Sequence, residues 1–179
     1  MKTCIVMTGY PCSGKSAIGK SVALLLKIPY ISSGDIARQM AEEEINADVN
    51  TALKNGMMAT EDKMRSRMYE ILKETIKHNK IFILDGFPRF DDQRLWIEKQ
   101  FDINYVYIDI QARLDNILAR AKSRCRQDDD KSILIRRIEW YEENTMPMLK
   151  QINPIVISGD ASIEDASNEL IRIISEVIL

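Results

Sequence analysis

Gly9-Tyr10-Pro11-Cys12-Ser13-Gly14-Lys15-Ser16 is the stretch on which the reading of this chain turns. It fits the pattern G-x-x-x-x-G-K-[ST] and lies between an apolar run, Cys4 to Thr8, and a segment of helical period carrying Ala17, Ile18, Val22, Leu24 and Leu25. A glycine-rich turn between a strand and a helix lets backbone N–H groups at the positive end of the helix surround a phosphate chain. Lys15 adds a cation for the outer phosphates, and the Ser16 hydroxyl is a ligand for Mg²⁺. Gly9, Cys12, Ser13, Gly14, Lys15, Ser16 and Ala17 are thus the expected cradle of a nucleoside triphosphate with magnesium. Cys12, close to a helix N-terminus, has two readings: a thiol inclined to ionise, whose oxidation would block the loop, or a small side chain at an unconstrained position.

Outward from this loop, further short apolar runs at Ile81 to Leu84, Tyr105 to Ile108 and Ile155 to Ile157 end in Asp or Ser and read as buried strands, with Ile28 to Ile31 as a weaker fifth. Between them, Met64, Met68, Ile71, Leu72 and Ile76 recur at spacings of three and four, which predicts an amphipathic helix over 60–78 whose methionine stripe is core. Ser162 caps a last helix whose Ala166, Leu170, Ile173, Ile174 and Val177 share one face. Strands alternating with helices predict an α/β fold: a five-stranded parallel sheet with helices on both faces and ligands beyond the strand C-termini.

The 179 residues, 45% hydrophobic and 29% charged, are expected to form one domain. A net charge of −2 gives no global pull towards nucleic acid or an anionic membrane, so anion binding must come from local clusters. The three cysteines form no C-x-x-C pair and, with a single histidine, make no structural zinc site; a reducing, cytoplasmic setting suits them. The first residues hold too short an apolar run for a signal peptide. His78, at a predicted helix end, reads as structural.

Asp85 closes the run Ile81 to Leu84, where a carboxylate can hold a metal-bound water beside Ser16. It opens Asp85-Gly86-Phe87-Pro88-Arg89, with Gln93 four residues on. This segment resembles the D-G-F-P-R…Q signature of adenylate kinases and their UMP/CMP kinase relatives. Ser32-Ser33-Gly34-Asp35 with Arg38 is similar to the family's S-[TA]-G-D-x-x-R, and Arg126-Gln127-Asp128-Asp129 with Arg137 to its R-x-D-D…R. The order is the family's, over nearly the whole chain.

The resemblance implies the P-loop fold with a helical acceptor-binding insertion at about 32–61 and a short lid at about 119–129. It implies that Arg38, Gly86 and Arg89 hold the acceptor's phosphate, that Ser33 and Gln93 face its base with Ala59 in the same subsite, and that Arg120, Arg126 and Arg137 close over the phosphates. Guanidinium groups suit that task because they stay charged and bind two oxygens at once. Two departures stand out: the family's G-K-G-T is Gly14-Lys15-Ser16-Ala17 here, and Ser33 stands where AMP enzymes usually carry Thr and pyrimidine enzymes Ala.

The implied reaction is direct in-line transfer of the γ-phosphoryl group of ATP to a nucleoside monophosphate, AMP first, by a monomer. Lys15, Arg89, Arg120, Arg126 and Arg137 stabilise the charge, Ser16 and Asp85 hold Mg²⁺, and no protein nucleophile takes part. The alternatives are a UMP/CMP or broad nucleotide kinase, a kinase of another small phosphate-bearing metabolite, and a nucleotide-switched assembly or regulatory factor with weak ATPase activity. Intact acceptor arginines speak against the switch. The basic cluster Arg120, Lys122, Arg124 and Arg126 lacks the interleaved aromatics of a nucleic-acid surface.

Overall fold

The computed structural model describes residues 1–42, 61–124 and 131–178. Five strands run β1 Thr3–Gly9, β2 Tyr30–Ser32, β3 Ile81–Asp85, β4 Asn104–Gln111 and β5 Ile155–Ser158. The helices are α1 Lys15–Leu26, α2 Ser33–Glu42, α3 Glu61–His78, α4 Asp91–Gln100, α5 Leu114–Arg124, α6 Lys131–Trp140, α7 Met146–Ile152 and α8 Ile163–Ile178, with a π-helical turn, Tyr141–Thr145, between α6 and α7. The sheet order is β2-β3-β1-β4-β5, every pair parallel. The chain therefore winds to one side of β1 and then to the other, which places a crevice beyond the C-terminal end of the central strand.

The alternation of side chains along β1 divides the core. Cys4 and Val6 face one cluster, with Met64, Met68 and Leu72 of α3, Phe82, Leu84, Phe87 and Ile97. Ile5 and Met7 face the other, with Ile18 and Val22 of α1 and Leu170, Ile173 and Ile174 of α8. The methionine stripe of α3 is core, as its spacing predicts: Met64, Met68 and Leu72 are all buried. Both sheet faces are covered, so the central strands can be apolar throughout and still exclude water.

One sequence-based boundary shifts. The fifth strand occupies Tyr30–Ser32, later than the apolar run Ile28 to Ile31, because its pairing with β3 matches Tyr30 to Ile83 and Ser32 to Asp85. The predicted cap of α8 forms as read: the Asp165 amide donates to Ser162 Oγ at 3.0 Å, and that hydroxyl donates to the Asp165 carboxylate at 2.7 Å. His78 ends α3 and contacts Glu74 at 2.9 Å, a surface pair that favours the helix C-terminus. Among the described residues no helix is long and apolar enough to cross a membrane.

Candidate active site

The loop after β1 turns into α1 through left-handed backbone at Gly14, the residue that caps the helix, with φ of 104°. Cys12 also takes a positive φ, 61°, uncommon for a residue with a side chain, so the loop is held by its surroundings. The first N–H groups of α1 have no partner within the helix, which makes this turn an anion site. Lys15 reaches back along the loop and donates to the Tyr10 carbonyl at 3.2 Å.

A second contact fixes the loop from outside. Arg120 of α5 donates to the Ser13 carbonyl at 3.0 Å and to the Gly159 carbonyl at 2.8 Å, tying the loop to the turn that follows β5. The approach is so close that a Cβ on Gly159 would lie 2.2 Å from the Ser13 carbonyl oxygen. Only glycine fits there. In the described structure the Arg120 guanidinium is thus engaged on backbone carbonyls, where the resemblance implies a role over the phosphates.

The neighbouring strand brings the other half of the site. β3 pairs with β1 so that Asp85 lies opposite Met7, and the Gly86 amide donates to the Met7 carbonyl at 3.0 Å. Asp85 is 2% exposed. Its Oδ2 accepts from the Ser16 hydroxyl at 2.6 Å and from the Tyr30 hydroxyl, while Oδ1 is buried with no hydrogen-bond partner among the described residues. A buried carboxylate oxygen without a donor is costly unless a cation or its water satisfies it. Oxygen donors of this kind suit Mg²⁺, so Ser16 and Asp85 fit the metal that the sequence implies.

Beyond Asp85, the Gly86 carbonyl accepts from Ser33 Oγ and from Arg89 Nε, each at 2.6 Å, and Arg89 reaches Ser33 Oγ at 3.4 Å. Gln93 holds the base of the same turn: its Oε1 accepts from the Arg89 amide at 2.9 Å, and the side chain is buried. Ser33, Gly86, Arg89 and Gln93 are therefore brought together. Arg38, on α2, pairs with Asp35, which also meets Lys20 at 3.3 Å. The expectations for Ala59 and Arg126, and for most of the insertion and lid segments, fall outside the described residues.

The electrostatics couple the two halves of the site. Burial lowers Lys15 to a pKa of about 8, a fall opposed by Asp85 and deepened by Arg89 and Arg137. Burial likewise lowers Arg89 to about 10, with further repulsion from Arg137 and Arg38. Cations on α1, α2 and α6 are thus coupled to Arg89 in the turn after β3. Held together at the cost of that repulsion, they make a group that an anion of several charges would stabilise.

Three residues that sequence reasoning missed support this site. Thr145, in the π-helical turn, donates to the Arg89 carbonyl at 2.7 Å. Tyr141 donates to Asp109 at 2.9 Å and packs its ring 4.3 Å from that of Tyr10, inside the glycine-rich loop. A widened turn inside a helix often marks a functional segment, but nothing in Tyr141 to Thr145 announces one beforehand.

The comparisons with known proteins agree with this geometry. The family model described as adenylate kinase matches residues 7–154. Adenylate kinase 1 of Nostoc sp. is 29% identical over 178 residues, covering 94% of this chain and 96% of the relative. Adenylate kinases of Corynebacterium urealyticum, 29% identical over 91% of this chain and 94% of the relative, and of Trichodesmium erythraeum, 26% identical over 93% and 94%, align as fully. A glycine-rich loop, a carboxylate one strand away and a group of coupled cations, carried on a sheet of this order, accord with that match over most of the sequence: the chain belongs to the adenylate kinase family of phosphotransferases, the nucleoside monophosphate kinases.

Proposed function

We propose that the protein transfers the γ-phosphoryl group of ATP to AMP, giving two ADP. An oxygen of the AMP phosphate forms a bond to the γ-phosphorus as the bond from that phosphorus to the β,γ-bridging oxygen breaks, and the electron pair leaves with ADP. The attacking oxygen is already anionic and needs no general base. The chain's task is positioning and charge stabilisation.

The observation that carries this reading is the cluster of Lys15, Arg38, Arg89 and Arg137, in which Arg89 is coupled to the charges of the other three. A nucleotide switch has no use for an acceptor clamp of this size. In the proposed division of labour, the loop 9–16 and Lys15 hold the donor phosphates, Arg38 and Arg89 hold the acceptor phosphate, and Arg137, with Arg126 by the family resemblance, stabilises the charge on the transferring group. Ser16 and Asp85 would hold Mg²⁺, which when bound neutralises part of the developing phosphate charge.

The acceptor base is proposed to meet Gln93. Its Oε1 is taken by the Arg89 amide, leaving Nε2 as a donor. A donor there suits an acceptor on the base edge, such as the ring nitrogen of adenine or cytosine. CMP is therefore the second reading, and AMP is preferred because the comparisons name adenylate kinases throughout.

The test is nucleoside diphosphate formation from ATP and Mg²⁺ with AMP, dAMP, GMP, CMP or UMP supplied singly, beside a control without acceptor. Strong dependence on AMP is the expected result. A pyrimidine preference would shift the reading to a UMP/CMP kinase, and hydrolysis indifferent to acceptor would sink it.

A further inference from the structure

Tyr30 lies on β2 beside β3, one diagonal step from Asp85: Tyr30 pairs with Ile83, and Ser32 with Asp85. A diagonal step is within reach of a long aromatic side chain on the same face of the sheet. The Tyr30 hydroxyl donates to Asp85 Oδ2, the oxygen that also accepts from Ser16 at 2.6 Å. Oδ1 of the same carboxylate is buried and has no partner among the described residues.

The ring has a seat made for it. Gly19 lies in the middle of α1, where glycine costs about 1 kcal/mol relative to alanine. A Cβ at that position would lie 2.7 Å from Tyr30 Cε2 and 2.8 Å from Met7 Sδ, so a side chain on Gly19 would displace the ring. On its other side, the Lys20 ammonium lies 5.7 Å from the ring centroid.

We propose that Tyr30 is a positioning residue of the metal site: with Ser16 it occupies Asp85 Oδ2, fixes the carboxylate and reserves Oδ1 for the shell of a bound Mg²⁺. This rests on the metal reading given above. Groups that orient a metal-ligating carboxylate commonly contribute tenfold or more to metal affinity. Gly19 is then part of the same device, since it makes the room without which the phenol could not reach Asp85.

The test measures metal affinity directly, apart from turnover. Free Mn²⁺ is followed by electron paramagnetic resonance as it is titrated into the protein saturated with ADP. ADP affinity without metal is measured alongside, by calorimetry. Tyr30→Phe, which keeps the ring and removes only the hydroxyl, is expected to weaken Mn²⁺ binding about tenfold and leave metal-free ADP affinity within about twofold. Gly19→Ala should weaken Mn²⁺ binding in the same direction by crowding the ring. Lys20→Ala, which leaves the Asp85 bonds intact, should not. Mn²⁺ affinity of Tyr30→Phe within about twofold of wild type, or an equal loss of metal-free ADP affinity, would overturn the proposal. A wild-type protein that binds ADP with no help from Mn²⁺ would overturn it together with the metal reading, and one that does not bind ADP at all would overturn the donor site itself.

Discussion

Arg120 holds the Ser13 carbonyl at 3.0 Å while its other terminal nitrogen holds the Gly159 carbonyl at 2.8 Å, so one side chain braces the glycine-rich loop against the turn after β5. Arg120→Lys can satisfy one carbonyl but not both, because an ammonium is a point donor and a guanidinium a fork. We expect Arg120→Ala to lower stability by about 1.5–3 kcal/mol and Arg120→Lys to lower it less, both raising KM for ATP. Chemical denaturation and ATP titration read the two effects. An Arg120→Ala protein of wild-type stability and KM would refute the bracing role.

Lys15 gives a pH signature. Free of ligand it loses its proton as pH rises through about 8. Bound phosphates supply the opposite charge and raise that value, so nucleotide binding near pH 8.5 takes up a proton, whereas near pH 6.5, with Lys15 already charged, it takes up almost none. Affinity should therefore fall as pH climbs above about 8. Calorimetry in buffers of different ionisation heat counts the proton. Lys15→Arg, charged throughout, should abolish the uptake.

The same lowered value fixes the sign for stability. The unfolded lysine binds its proton up to about pH 10.5, the folded one only to about 8, so from 8 to 10.5 the unfolded state carries more protons and stability due to this group rises with pH. Below about 8 both states are charged and the full cost of the buried ammonium is present. In Lys15→Met, denaturation between pH 7 and 10 should show that rise removed.

Asp85 serves stability as well as function. Its carboxylate has one unpartnered oxygen, yet it is also the anion that opposes the fall in pKa of the buried Lys15 and Arg89, and Asp85→Asn leaves those cations without it. We expect the ligand-free variant to melt lower than wild type and its activity with Mg²⁺ to fall at least a hundredfold. A variant that melts as high as wild type and keeps its activity would contradict both halves of the argument.

Thr145 tests the reach of the π-helical turn. Thr145→Val keeps the shape but leaves the Arg89 carbonyl without its 2.7 Å donor, at an expected cost of about 1–3 kcal/mol. If Arg89 holds the acceptor phosphate as proposed, KM for AMP should rise while KM for ATP changes little. Equal changes in both would point to a general loosening of the fold instead.

Much of this was legible in the sequence wherever chemistry is encoded by neighbours. The glycine-rich loop, the carboxylate at the end of β3 and the segment Gly86 to Arg89 are short, and their spacing alone carries the meaning. The methionine stripe of α3 could be read because helical period is local. The bracing contacts could not. Ser13 and Arg120 are 107 residues apart, and Thr145 and Arg89 are 56 apart, so only the folded sheet brings them together. Tyr30 was hidden differently, as one more apolar residue in a short run. Gly19, the glycine that sits in a helix interior facing its ring, was the available clue.

The pairing of β1 with β3, Met7 opposite Asp85, has one more consequence. On the proposed reading, the donor phosphates would lie at the end of one strand and the acceptor's phosphate at the end of its immediate neighbour, and adjacent strands lie about 4.8 Å apart. The separation of the two binding turns would then follow the hydrogen-bond spacing of the sheet, which no side-chain substitution rescales, while residues at the rim stay free to change which nucleotide docks.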